Sequence, residues 1–111
     1  MLQSEKNKLM LSLSYTSLST LYRDNVWFSK DSMRFFNSRV CETTYNEYTG
    51  FFVSSEQNKF SNQQRAYSVR RYNSATKKIE TIGEIQGYAT RSQAITARNK
   101  AENNFLSKLS D

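Results

Sequence analysis

The sequence contains no histidine and a single cysteine, Cys41. Histidine is the commonest general base near neutral pH and the commonest metal ligand among side chains. One cysteine can form neither an intramolecular disulfide nor a structural zinc site. We therefore predict a protein that is not an enzyme and that holds no metal and no cofactor. A lone thiol is also typical of the reducing cytoplasm.

Proline is absent, and the three glycines stand apart in the chain. This spacing excludes a glycine-rich phosphate-binding loop and a flexible low-complexity linker. No apolar run approaches the roughly 20 residues that span a bilayer. Serines and threonines interrupt the leucine-rich stretch near the N-terminus, which argues against a secretory signal. We predict no membrane partner.

Positive charge and aromatic side chains are abundant. The 111 residues carry a formal net charge of +6, and 14% of them are aromatic. This length favours one domain, and so many Phe and Tyr residues exclude a disordered chain. The charge permits contact with nucleic acid or another acidic partner. Between Glu56 and Glu80 no acid occurs, and the bases in this run are Lys59, Arg65, Arg70, Arg71, Lys77 and Lys78.

The C-terminal half predicts a β-hairpin followed by a helix. Alternation over residues 65–73 and 78–86 is typical of two strands, and Asn73 to Thr76 supplies turn chemistry. Thr90 with Gln93 has the form of a capping box. Apolar residues then recur every three or four positions, which predicts a long helix reaching Leu109.

The N-terminal half is less regular. Residues 1–25 fit both a strand period and a helix period, so we interpret them as an extension that packs on the domain or frays. Ser29 and Asp31 predict a short helix over about 30–37. Alternation near 40–45 and 51–55 predicts two strands, with a hairpin connection over 46–50.

These elements predict one α+β domain over residues 26–111. Its antiparallel sheet has three or four strands, with a short N-terminal helix and a long C-terminal helix packed on one face. The predicted core contains Trp27, Phe35, Phe36, Phe52, Val69, Ile82, Ala94, Ala97, Ala101 and Phe105.

The basic hairpin is the main candidate for a binding surface. Arginine binds phosphate in a bidentate manner, and exposed tyrosine stacks on bases. Alternation predicts Arg70 and Tyr72 on one sheet face and Tyr67 and Arg71 on the other. The candidate nucleic-acid-binding residues are Arg34, Arg39, Arg65, Tyr67, Arg70, Arg71, Tyr72, Lys77 and Lys78.

Each of these arginines has a structural alternative. Arg70 or Arg71 would stabilise the hairpin through cross-strand contacts with Glu80, Ile82 or Glu84. Arg34 and Arg39 are also placed to pair with an acid. We interpret paired glutamates on an exposed strand as solvated rather than catalytic.

Three stretches resemble a family of small uncharacterised proteins from bacteriophages and mobile elements. They are residues 30–39, 51–57 and 67–72, and the resemblance covers about residues 26–100. It implies a phage-type accessory protein acting in the host cytoplasm. It supplies no catalytic residues.

The order of three strands followed by residues 87–94 is similar to the arm-binding domains of phage-type integrases, whose sheet binds DNA. This resemblance places Arg65, Arg70, Arg71, Lys77 and Lys78 on the DNA side. The chain has no recombinase catalytic domain and carries an additional helix and strand upstream. Only a binding module is therefore implied.

The leading hypothesis is a non-enzymatic accessory protein that binds nucleic acid through the basic, tyrosine-bearing hairpin. The alternative is a protein-binding inhibitor or adaptor, such as an anti-defence factor that binds a host nuclease complex, or a virion component. Arginines and tyrosines on an uncovered sheet favour nucleic acid. An apolar patch of several hundred Å² favours a protein partner.

Overall fold

The computed structural model describes residues 2–24, 39–57 and 65–109. Its helices are α1 (Gln3–Leu11), α2 (Leu18–Asp24) and α3 (Arg91–Leu109), with a 3-10 turn over Glu42–Thr44. Its strands are β1 (Arg39–Val40), β2 (Phe51–Gln57), β3 (Arg65–Asn73) and β4 (Lys78–Ile82). They form one antiparallel sheet in the order β1-β2-β3-β4. The predicted α+β class is confirmed.

The β3–β4 hairpin forms around the predicted turn. The Asn73 Oδ1 atom accepts hydrogen bonds from the backbone N–H groups of Ala75 and Thr76, at 3.0 and 3.4 Å. Strand β4 ends at Ile82, and the next residue, Gly83, has a φ of +79°. The predicted strand over residues 78–86 is therefore wrong beyond Ile82, and Glu84 does not share a strand face with Glu80.

The strand predicted over 40–45 is also wrong beyond its first residue. The Thr44 hydroxyl donates to the Cys41 carbonyl at 2.6 Å and accepts the Val53 N–H at 2.8 Å. Threonine side chains that bond to nearby backbone compete with the strand ladder. Pairing in β1 consequently stops at Val40, and the chain turns through a 3-10 helix.

Helix α3 begins and packs as its sequence pattern predicts. The Thr90 hydroxyl caps it by accepting the Gln93 N–H at 3.2 Å. Farther along, the Phe105 ring contacts the Phe51 ring with centroids 5.7 Å apart. Ala94 and Leu106 are fully buried on the same helix. The helix therefore covers the sheet face that carries Phe51.

All predicted core residues within the described ranges are buried or half-buried. Burial is confirmed for Phe52, Val69 and Ala94. The half-buried members are Ile82, Ala97, Ala101 and Phe105. Trp27, Phe35 and Phe36, and the helix predicted over 30–37, lie outside the described residues.

The N-terminal segment packs on the domain. Leu21 is buried at 1% exposure. The Tyr45 hydroxyl donates to the Thr16 carbonyl at 2.8 Å, and the Lys6 ammonium lies 3.4 Å from the Glu102 carboxylate. Helix α1 itself has no buried residue. We expected this segment either to pack on the domain or to fray, and these contacts show packing.

Gly50 is required by the close approach of β3. Its φ is +82°, and a Cβ atom there would lie 2.1 Å from the Tyr72 carbonyl oxygen. Gly50→Ala combines left-handed strain with a backbone clash. We expect it to lower the free energy of unfolding by about 2–4 kcal/mol in denaturant titrations.

Gly83→Ala is the matched control, because its φ is +79° and a Cβ would meet no atom within 4 Å. Gly83→Ala introduces the left-handed backbone strain without the clash, so we expect it to lower the free energy of unfolding by about 1–2 kcal/mol. Equal losses in the two variants would contradict the proposed clash.

Candidate nucleic-acid interface

Arg70 lies in the interior of the protein rather than on its surface. Only 7% of the residue is exposed, and its Nη2 atom lies 2.6 Å from the Glu56 carboxylate. Its Nε and Nη1 atoms donate to the hydroxyls of Ser54 and Thr81. Tyr72, on the same face, is 9% exposed. The prediction that Arg70 and Tyr72 reach a nucleic acid is wrong, because both residues are buried. Arg70 also has an anionic partner in the interior.

The Glu56 carboxylate is satisfied on several sides. Besides Arg70, its Oε1 atom accepts hydrogen bonds from the hydroxyls of Ser54 at 3.2 Å and Ser68 at 3.0 Å. The Ser68 hydroxyl in turn accepts the backbone N–H of Gln86 at 2.8 Å. A buried ion pair is stable only when its remaining hydrogen-bonding capacity is met in this way.

Arg71 projects to the opposite face, beneath α3. Its guanidinium carbon lies 4.3 Å from the centroid of the Phe105 ring, and its Nε donates to the Thr49 carbonyl at 3.0 Å. Partial burial lowers the pKa of Arg71. The helix therefore separates Arg71 from an open sheet surface.

Lys77 and Lys78 lie at the tip of the hairpin and are exposed. Arg65 stands at the other end of β3, eight residues from Asn73, the last residue of the strand, so the predicted basic hairpin is divided between two ends of the sheet. Arg34 lies outside the described residues.

The remaining predicted residues, Arg39, Arg65 and Tyr67, lie at the same end of the sheet. Arg39 pairs with Ser55, and Ser55 pairs with Tyr67. Tyr67 forms two backbone hydrogen bonds with Tyr88, at 3.0 and 3.2 Å. Directly paired residues of antiparallel strands project from the same face. The side chains therefore form a row across the sheet.

Two arginines flank this row. The Arg65 guanidinium donates to the Ser55 hydroxyl at 3.0 Å and to the Ser55 carbonyl at 2.8 Å. Arg91, the first residue of α3, donates to the Thr43 hydroxyl at 3.1 Å. We call Arg39, Arg65, Tyr67, Tyr88 and Arg91 the basic row.

Cys41 reports the electrostatics of this region. Burial raises the pKa of its thiol, and the positive charges of Arg91 and Arg65 oppose that rise. The charges of Arg91 and Arg65 thus both favour an anion at Cys41. Within the described residues neither Arg39 nor Arg91 forms an ion pair. The charges of Arg39 and Arg91 are therefore available to an external anion.

Tyr88 and Arg91 were not among the predicted site residues. Tyr88 reaches the row through its backbone bridge to Tyr67, a tertiary pairing with no periodic signal in the sequence. Arg91 follows the capping Thr90, so its position on the helix was predictable, but its neighbours on the sheet were not.

The described part of the chain contains neither a candidate metal-binding cluster nor a candidate membrane-spanning helix. No group of three His, Cys, Asp or Glu residues there could hold a metal ion. Among the described helices, none is both long and apolar enough to cross a membrane.

Fold and site together define a small α+β protein with a basic, tyrosine-bearing row at one end of its sheet. Residues 15–99 match the DUF7447 family, and the chain belongs to this family, whose function is unknown. All five residues of the basic row lie within the matched stretch. Neither a curated protein nor a solved structure matches the chain.

The buried ion pair makes a prediction about stability. Arg70→Ala leaves the Glu56 carboxylate buried without its cation, and we expect a loss of about 3–5 kcal/mol in the free energy of unfolding. The paired change Arg70→Met with Glu56→Leu removes both charges and should cost clearly less. Denaturant unfolding measures both. A double variant as unstable as Arg70→Ala would contradict this account.

Proposed function

We propose that the protein is a non-enzymatic, phage-type accessory protein that binds nucleic acid through the basic row. The observation that supports this function is the convergence of three arginines and two tyrosines on one surface. Guanidinium groups bind phosphates, and tyrosine rings stack on bases. The phage-type assignment depends on the resemblance of residues 30–39, 51–57 and 67–72 alone.

The arrangement of the basic row favours binding of single-stranded rather than duplex nucleic acid. Neighbouring strands lie about 4.8 Å apart, so the positions from Arg39 to Tyr88 span about 14 Å. The basic side chain lies at one end of this span and the two rings at the other. Tyr67 and Tyr88 have no ring contact or side-chain hydrogen bond within the described residues. Their faces can stack on bases that a duplex would keep hidden.

The proposed place of action is the cytoplasm of a host cell. A single cysteine suits a reducing compartment. Single-stranded DNA and RNA both present the phosphates and base faces that the row would contact.

Binding to a protein partner is the second candidate function, in which the protein acts as an anti-defence inhibitor or adaptor on a host complex. The observation that favours it is a set of exposed apolar side chains in the N-terminal segment. Leu11 is 70% exposed and Tyr15 is 57% exposed. Exposed apolar surface marks protein contacts when it is contiguous.

Fluorescence anisotropy with labelled single-stranded and duplex oligonucleotides, DNA and RNA, tests the proposed function. We expect tighter binding to single strands, and affinity that falls steeply between about 50 and 200 mM salt. Arg39→Ala with Arg91→Ala removes two phosphate contacts. It should reduce the slope of log affinity against log salt by about 1.4.

Lys77→Ala with Lys78→Ala is the matched control, because it removes the same charge at the hairpin tip. It should retain most of the affinity. Tyr67→Leu should cost about 1–3 kcal/mol of binding free energy and weaken the preference for single strands. Absence of binding at low salt, or equal losses in the two double variants, would overturn the proposal.

A further inference from the structure

Arg70 is buried, whereas Arg71 and Arg98 are half-buried. Only Arg70 and Arg98 of these three have a carboxylate partner. Arg70 lies 2.6 Å from Glu56. Arg98 lies 2.9 Å from Glu102. Arg71 forms no ion pair within the described residues. A partly desolvated cation without a bonded anion is unfavourable unless something else compensates it.

The Arg71 guanidinium is nevertheless held in place. One face lies over the Phe105 ring at 4.3 Å, and the Phe51 ring centroid is 5.9 Å away. Its Nε is fixed by the Thr49 carbonyl. Its two Nη atoms have no acceptor among the described residues. The outer edge of the guanidinium, which binds planar anions in a bidentate manner, remains available.

The nearest acid does not take this position. Glu80 is the cross-strand partner of Arg71, but its Oε1 atom accepts a hydrogen bond from the Asn73 amide at 2.7 Å. Its charge acts on Arg71 only through space and opposes the effect of burial on the pKa of Arg71.

Arg71 lines an open groove of about 320 Å³ between α3 and the β4 side of the sheet. The groove is also lined by Lys108, a second cation, and by one carboxylate, Glu80, so its charged residues carry a net positive charge. Phe105, Ile82 and Ala101 supply apolar walls. This volume is at the lower end of the range for small-molecule sites, which are mostly apolar with a few oriented polar groups.

We propose that this groove binds a small organic anion, a carboxylate or phosphate carried on an aromatic or branched apolar body. The anionic group is held by the Nη edge of Arg71 and by Lys108, and the apolar body packs against Ile82, Ala101 and Phe105. The site is distinct from the basic row, which occupies the other end of the sheet.

The test is an NMR titration of the full chain with benzoate and with phenyl phosphate. Both probes should produce saturable shifts at the Arg71 Nε–H signal and at groove residues, and the tighter one identifies the preferred anionic group. Benzamide has the same ring without the charge and should bind at least tenfold more weakly. Inorganic phosphate has the charge without the ring and should also bind more weakly than phenyl phosphate.

Variants assign the effect to the groove. Arg71→Gln should abolish binding, with backbone signal dispersion verifying that the chain is folded. Lys108→Gln should weaken binding at least threefold without threatening the core, since Lys108 is exposed. Lys100→Gln, an exposed lysine of the same helix, is its charge-matched control and should leave affinity unchanged.

Three results would overturn the inference. They are absence of saturable shifts with either probe, equal binding of benzamide, and equal effects of Lys108→Gln and Lys100→Gln. In each case Arg71 would serve only to stabilise the packing of Phe105. Arg39→Ala with Arg91→Ala should leave benzoate binding intact, so failure of the nucleic-acid proposal would not be mistaken for failure of this one.

Discussion

The buried ion pair between Arg70 and Glu56 is the constraint on which the rest of the sheet depends. It places a charged residue of β3 and one of β2 at less than a tenth exposure, at a separation of 2.6 Å. Breaking such a pair leaves an uncompensated charge in the interior. The register of these strands and the serine hydroxyls around Glu56 are therefore tied to one another. Arg70 is a structural residue, and the face of β3 that carries it is buried.

The described arginines differ in whether they have a carboxylate of the same chain as partner. Arg70 and Arg98 each bind a buried carboxylate of the same chain. Arg39 and Arg91 have no such partner within the described residues, and they lie at the end of the sheet where Tyr67 and Tyr88 meet. A cation without an internal counter-ion is the kind that contributes to binding an external anion.

Helix α3 connects the two candidate sites. Its capped start brings Arg91 to the edge of the basic row, and its last turns place Phe105 against Arg71. Of the row, Arg65 and Tyr67 lie on β3 with Arg71, but Arg71 is farther along the strand, where Phe105 of the helix packs against it. Strand β3 consequently contributes residues to both candidate sites, the basic row and the groove at Arg71.

The sequence by itself determined the local structure. The Asn73 turn and the Thr90 cap are set by side chains bonding to backbone groups two or three residues away, and both are present. Tertiary structure decided which faces are covered. Alternation along β3 indicates which residues share a face, but it does not indicate that Arg70 will find Glu56 on another strand. Nor does it indicate that Tyr88 will pair with Tyr67. Those contacts join distant parts of the chain, so only the assembled sheet separates structural arginines from those that remain available to a ligand.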